Sequence, residues 1–231
     1  MIKLLIKFIV DSIFIKVAKY FIWNTKYTAI DKVWKDSIDS SANYIKANSK
    51  NTLLFPIVKE LWDYGLSISD KDGYFLEFGV WKGKSINYFS KKLPDITFYG
   101  FDSFQGLKEN WHGTSVRKGH FNLNNRLPKV NKNVNLIEGW FNDSIPIFLD
   151  NNNNKISFLH IDCDTNESTR TILELLKNRI TKNTILIFDE YFGYPEWENG
   201  EFLAWKEFVK SNNIRYKYLA FSNKQVLIKV L

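Results

Sequence analysis

Five short apolar runs, residues 74–78, 97–101, 134–137, 156–161 and 184–188, each end beside an acid or a glycine. Helix-like segments lie between them at 84–92, 143–149 and 167–179, the last with apolar positions Ile172, Leu173, Leu175 and Leu176. Near-continuous apolar strands alternating with helices specify a parallel sheet covered by helices on both faces. That order constrains the rest of the chain, because an open parallel sheet binds its ligands at the carboxyl edge of the strands.

Outside these units the pattern changes. Residues 53–64 read as a helix ended by Gly65, a residue suited to a C-terminal cap. A further helix is predicted at 201–211, and the chain closes with a hairpin, 216–221 and 225–231, about the turn Ser222-Asn-Lys224. Residues 108–132 are long, polar and aromatic-containing, and read as a loop or lid. Residues 24–50 are polar and partly helical, with Trp34 and Tyr44 as packing anchors. The chain therefore divides into an N-terminal helical extension, 1–50, and an α/β domain, 51–231.

Charge is unevenly spread. Residues 1–60 hold ten lysines and five acids, which is +5 of the formal +7, so the remainder is nearly neutral. No basic nucleic-acid-binding face is indicated, whereas the basic N-terminal portion suits an anionic surface. A single cysteine, Cys163, excludes an internal disulfide and fits a reducing cytosol. Residues 1–23 are strongly apolar, with charges at Lys3, Lys7, Asp11, Lys16 and Lys19 that gather into one polar stripe on a helix. The longest uncharged run falls short of the roughly 20 residues a spanning helix needs. Two readings stand: peripheral contact with the inner face of a membrane, or packing on the domain or a second subunit in a homo-oligomer.

Tyr74-Phe-Leu-Glu-Phe-Gly-Val-Trp-Lys-Gly-Lys-Ser85 carries the first chemistry. A strand ends at Glu77, Gly79 and Gly83 permit a tight turn, and a helix opens at Lys84-Ser85. Asp102 ends the next strand, 19 residues after Gly83, close to the interval at which a carboxylate holds ribose hydroxyls. A helix cap or turn acid would look the same. The spacing Gly79-x-x-x-Gly83 departs from G-x-G-x-x-G, which points away from a pyrophosphate and toward a ribose-bearing ligand such as S-adenosylmethionine.

Leu76–Ser85, Tyr99-Gly-Phe-Asp-Ser-Phe-Gln-Gly-Leu107, Glu138-Gly-Trp-Phe-Asn-Asp-Ser144 and His160-Ile-Asp-Cys-Asp-Thr-Asn-Glu-Ser-Thr169 together resemble consecutive motifs of the macrocin O-methyltransferase (TylF/MycF) family. The resemblance covers roughly residues 70–210. It implies a Rossmann-like class I methyltransferase with a mostly parallel seven-stranded sheet and an antiparallel last strand. It implies S-adenosylmethionine as donor, a sugar hydroxyl as acceptor, and a divalent metal. Glu77 and Gly79 would line the methionine side of the cofactor, with Gly83 and Ser85 at the helix start. Asp102 would take the ribose, and Ser103, Gly139 and Trp140 would neighbour the adenine.

The acceptor half is acidic. Asp162 follows the fourth apolar run and Asp189-Glu190 the fifth, so three carboxylates meet at the carboxyl edge. They repel one another unless a cation binds or protons stay on, and a hard ion such as Mg²⁺ resolves the conflict. Such an ion would orient substrate oxygens and lower the pKa of the attacking hydroxyl. The position of Glu190 is more often Asp or Asn in such enzymes, so a metal-free pocket with one carboxylate as base remains the alternative.

Asp164 joins this site or caps the helix containing Glu167. The base candidates are Asp162, Asp164, His112 and His120, the two histidines lying in the lid. His160 reads as structural, and Cys163 lacks the arrangement a thiol mechanism needs. Residues 191–197 offer an aromatic wall for a sugar. The expectation is a cytoplasmic methyltransferase acting on a small-molecule or glycan hydroxyl and not on nucleic acid. Two alternatives stay open: a metal-independent enzyme with a nitrogen or carboxylate acceptor, and a membrane-surface binding module with a degenerate domain.

Overall fold

A computed structural model of the chain describes residue 10 and residues 12–17, 28–124 and 126–231. It divides into two compact units, Met1–Asp36 and Ser37–Leu231. In the first, residues 12–17 are helical. The amphipathic stripe expected over residues 1–23 otherwise lies outside the described residues. Among these, no helix is long and apolar enough to cross a membrane.

Helix α1 (Ala29–Asn48) is followed by β1 (Leu53–Leu54), α2 (Val58–Ile68), β2 (Tyr74–Phe78), α3 (Lys84–Lys92) and β3 (Phe98–Asp102). Then come β4 (Val134–Glu138), α4 (Phe141–Asp150), β5 (Ile156–Ile161), α5 (Asn166–Leu176) and β6 (Ile185–Phe188). A short 3₁₀ turn, Trp197–Asn199, leads into α6 (Glu201–Ser211), β7 (Tyr216–Ser222) and β8 (Gln225–Val230). The strands form one sheet in the order β1-β7-β8-β6-β5-β2-β3-β4. All pairings are parallel except those of β8 with β6 and β7. This is the mostly parallel sheet that the alternation predicts, with the antiparallel last strand that the resemblance implies.

Two departures have physical reasons. The sheet has eight strands rather than seven, because Leu53 and Leu54 add to the edge beside Ala220 and Phe221. Gly65 lies inside α2 and does not end it. A Cβ there would sit 3.0 Å from Leu227 Cδ1 and 3.2 Å from Ile187 Cδ1, so the glycine lets helix and sheet approach closely.

Period-two alternation divides the core into two layers. Leu76, Phe78, Leu159, Ile161, Leu186 and Phe188 pack under α4, α5 and α6. Phe75, Phe158, Ile185, Ile187 and Leu227 pack under α2 and α3. Glu77 and His160 point to the second face, opposite each other in register on β2 and β5. Tyr44 of α1 packs against Tyr191, Trp197, Phe202 and Tyr218, as its role of anchor requires.

Candidate active site

The carboxyl edge is built by the sheet ladder itself. The backbone N–H of Gly139 donates to Asp102 O at 3.0 Å, that of Gly79 to Phe101 O, that of Asp162 to Phe78 O and that of Asp189 to Ile161 O, the last three at 2.9 Å. Each residue following a strand is thus held against the neighbouring strand. Gly79 must be glycine here: its φ is +90°, and a Cβ would lie 1.7 Å from the Asp162 carbonyl oxygen. Above this row opens a cavity of about 940 Å³.

Of the residues expected on the donor side, Gly79, Ser85, Asp102, Ser103, Gly139 and Trp140 line the cavity. Glu77 and Gly83 do not. Glu77 is fully buried behind the wall, accepting a bond from Ser85 Oγ at 3.1 Å and lying 3.0 Å from His160 Nδ1. Its strand position turns it toward α3 and away from the ligand space. Gly83 is buried where the turn enters α3, against Asn87, Pro128 and Val130.

Asp102 performs the turn-acid role directly. Its Oδ2 accepts from the N–H groups of Val80 at 2.9 Å and Trp81 at 2.8 Å, and its Oδ1 from that of Phe104 at 2.7 Å. One carboxylate therefore pins the glycine turn and the start of the loop after β3. Two carboxylate oxygens offer about four acceptor sites, so these three bonds leave room for a ligand hydroxyl.

The acidic floor is more extensive than the expected trio. Asp162, Asp164, Asp189 and Glu190 all line the cavity. They form two overlapping groups, Asp162–Asp164–Glu190 and His160–Asp162–Asp189, each with its ligand atoms within 4.8 Å of one another. Asp189 and Glu190 thus flank Asp162 from different sides and do not complete a single set of three. Burial, then the charge of Asp189, pushes Asp162 and Glu190 well above the ordinary carboxylate range. The same causes raise Asp164 to about 7. Asp164 also sits at φ +65°, an uncommon conformation for a non-glycine residue and one that clusters at functional sites. The cap of α5 is Thr165 rather than Asp164.

His160 is the residue whose part the sequence understates. It is fully buried, with Nδ1 toward Glu77 and Nε2 3.7 Å from Asp189 Oδ1. Burial opposes its charge, but the neighbouring Asp189 and Glu77 carboxylates outweigh burial and lift it to about 9. Beyond it, Gln225 Nε2 donates to Asp189, while Trp62 Nε1 donates to Gln225 Oε1 at 2.8 Å. Hydrogen bonds therefore join Ser85 of α3 through Glu77 to His160, and Trp62 through Gln225 to Asp189, with 3.7 Å between His160 Nε2 and Asp189 separating the two sets. Glu201 is also unanticipated: fully buried, it accepts from the Glu190 N–H at 3.2 Å, while its Oε1 has no partner. In sequence it reads only as a first-turn helix acid.

The lid residues divide. The segment after β3 folds back on itself through Leu107 N–H to His120 O at 2.9 Å, and it lines the cavity with Leu107, Lys108, Trp111 and Phe121. His112 and His120 are exposed and stand outside the cavity. At 111 the indole turns inward against Tyr194, which leaves its neighbour His112 facing solvent. Cys163 lines the wall, where burial pushes its thiol up and Thr169 Oγ1 lies 3.3 Å away, so no thiolate nucleophile is available.

The residues can hold a divalent cation. The Asp162, Asp164 and Glu190 oxygens converge, repel one another, and include Glu190 Oε2, which is buried without a partner. Oxygen-only donors of this kind suit Mg²⁺ or a similar hard ion.

Comparison with known proteins bears on this geometry. The chain resembles the solved structure of CalS11, a calicheamicin methyltransferase, with TM-score 0.59 and 22% identity over 74% of this chain and 76% of that one. A second CalS11 structure, apo and described as a TDP-rhamnose 3'-O-methyltransferase, matches at 0.52 and 23% over 74% and 76%. The O-methyltransferase NovP matches at 0.53 and 18% over 74% and 79%. Likeness at these identities speaks for the fold. A search of curated proteins found no match. The family described as "Methyltransferase domain" matches residues 76–191, which run from the glycine turn through the acidic floor. The chain therefore belongs to the methyltransferase-domain family and is an S-adenosylmethionine-dependent methyltransferase.

Proposed function

We propose that the protein methylates a hydroxyl of a sugar or glycosylated molecule, with a divalent cation on the acidic floor. The observation that carries this reading is the pair of clusters, His160–Asp162–Asp189 and Asp162–Asp164–Glu190, that share Asp162 beside the donor turn in one cavity. The motif resemblance to the macrocin O-methyltransferases and the fold likeness to CalS11, described as a TDP-rhamnose 3'-O-methyltransferase, support the same acceptor class.

The protein's part is positional. Asp102 fixes the turn under the cofactor, and Ser85, Gly139 and Trp140 border the donor. The acceptor oxygen attacks the methyl carbon in line as the carbon–sulfur bond breaks, giving a methyl ether, S-adenosylhomocysteine and a proton. Enclosure and alignment supply much of the rate, with no covalent enzyme intermediate. Asp162, Asp164 and Glu190 would hold the cation, which when bound lowers the pKa of the attacking hydroxyl.

A metal-free version has one specific observation in its favour. Asp164, raised to about 7, is poised to accept the hydroxyl proton as a general base at neutral pH. One assay separates the two. With labelled methyl donor and a panel of sugars, chelator abolishes turnover and Mg²⁺ restores it in the metal-assisted case. Turnover indifferent to chelator but lost in Asp164→Asn selects the metal-free base. Absence of methyl transfer to any hydroxyl, with transfer to amines or carboxylates instead, overturns the reading.

A further inference from the structure

The lysines at one edge of the cavity carry a further inference. Lys59 opens α2, while Lys82 and Lys84 flank the entry to α3, and all three line the cavity. They are neighbours. Lys59 Nζ lies 5.4 Å from the centre of the Tyr88 ring, and Tyr88 is one turn beyond Lys84 on the same face of α3. Lys82 Nζ stands 4.3 Å from the ring of Trp81, itself a cavity residue 39% exposed. Among the described residues none of the three lysines is in an ion pair, whereas Lys92 farther along α3 is held by Asp63 at 2.9 Å. The edge therefore holds three lysines outside any ion pair, with Lys59 beside the Tyr88 whose hydroxyl donates to Asp63. The first turns of α2 and α3, neither closed by a side-chain cap, add partial positive charge to the same edge.

S-adenosylmethionine does not account for this charge. It carries one carboxylate against an ammonium and a sulfonium, so it brings at most one anionic group to the edge. About 940 Å³ is toward the upper end of the roughly 300–1,000 Å³ usual for ligand pockets, which leaves space for a second molecule beside the donor. The two ends of that space differ in character: clustered carboxylates at the floor, lysines at the edge. A neutral sugar would engage only the floor.

We propose that Lys59, Lys82 and Lys84 bind the phosphate or pyrophosphate of a phosphorylated sugar acceptor whose hydroxyl is presented to the acidic floor. This rests on the reading of the cavity as a site of hydroxyl methylation. Lysine is a point-charge phosphate ligand, and three of them suit a group bearing two or more negative charges. Trp81, exposed beside Lys82, offers a face for stacking if the phosphate carries a nucleoside.

Equilibrium titration into the full chain saturated with S-adenosylhomocysteine tests this, using UDP-glucose, glucose 1-phosphate and methyl glucoside as probes. The phosphorylated probes are expected to bind at least about tenfold more tightly than methyl glucoside, as charge-assisted contacts imply. The double variant Lys59→Gln, Lys82→Gln should lose that preference and keep its affinity for S-adenosylhomocysteine. Added salt should weaken the phosphorylated probes alone. Equal binding of both phosphorylated probes assigns a single phosphate, and preference for UDP-glucose assigns a pyrophosphate; both support the proposal. Equal affinity for methyl glucoside, or phosphate binding unchanged in the double variant, overturns it. Failure of the unaltered protein to bind S-adenosylhomocysteine is a separate result, which would overturn the cofactor site itself.

Discussion

Asp102 shows how one side chain can hold two loops at once. Three backbone N–H groups converge on its carboxylate, and charged acceptors make each such bond worth about 1.5–3 kcal/mol in partly buried settings. Asp102→Asn would leave one of those donors facing an amide. We expect a loss of about 2 kcal/mol in thermal unfolding together with at least about tenfold weaker S-adenosylhomocysteine binding. Weaker binding at an unchanged melting temperature would instead assign Asp102 to the ribose alone. Gly79 works by absence: its close approach to the Asp162 carbonyl is what lets donor turn and acidic floor share one cavity. His160 stands behind them, its Nδ1 3.0 Å from Glu77 and its Nε2 3.7 Å from Asp189.

Element by element, the chain was readable where one face decides the pattern. Strands β2 and β5 and helices α3 and α6 match their sequence bounds, because central parallel strands are continuous apolar runs and their helices have a single buried stripe. Strand β1 was not readable, since two leucines have no periodicity and pair with residues 167 positions away. Gly65 resembles a cap in sequence because a glycine that ends a helix and one that lets it approach a sheet look alike there. Gly65→Ala gains about 1 kcal/mol of helix propensity and incurs about 1–3 kcal/mol of overpacking against Leu227 and Ile187. The expected net is a destabilisation of about 1 kcal/mol in chemical unfolding. The site divides along the same line. Asp162 and Asp189 were legible as strand-end acids, whereas the Trp62–Gln225–Asp189 link and buried Glu201 depend on contacts formed only after the sheet closes.

For the molecule as a whole, the acidic floor ties folding to pH and, on the proposed function, to a divalent cation. Asp164 goes from an ordinary 3.8 to about 7 on folding, so its contribution is greatest below about 4 and is lost as pH rises through about 7. His160, raised from 6.5 to about 9, acts in the same direction: its stabilisation is full below 6.5 and disappears as pH rises through about 9. Melting temperature in chelator should therefore fall between about pH 5 and pH 8, and Mg²⁺ should restore most of the loss at the upper end. A melting curve indifferent to Mg²⁺ at that pH would argue for the metal-free base. The antiparallel insertion of β8 between β6 and β7 has a consequence for biosynthesis. Gln225, which ties Asp189 to Trp62, lies on that strand, so the ribosome must release residues beyond 225 before the site can close. A nascent chain stopped short of β8 would hold the donor turn and every floor carboxylate yet lack the strand that sets Gln225 against Asp189.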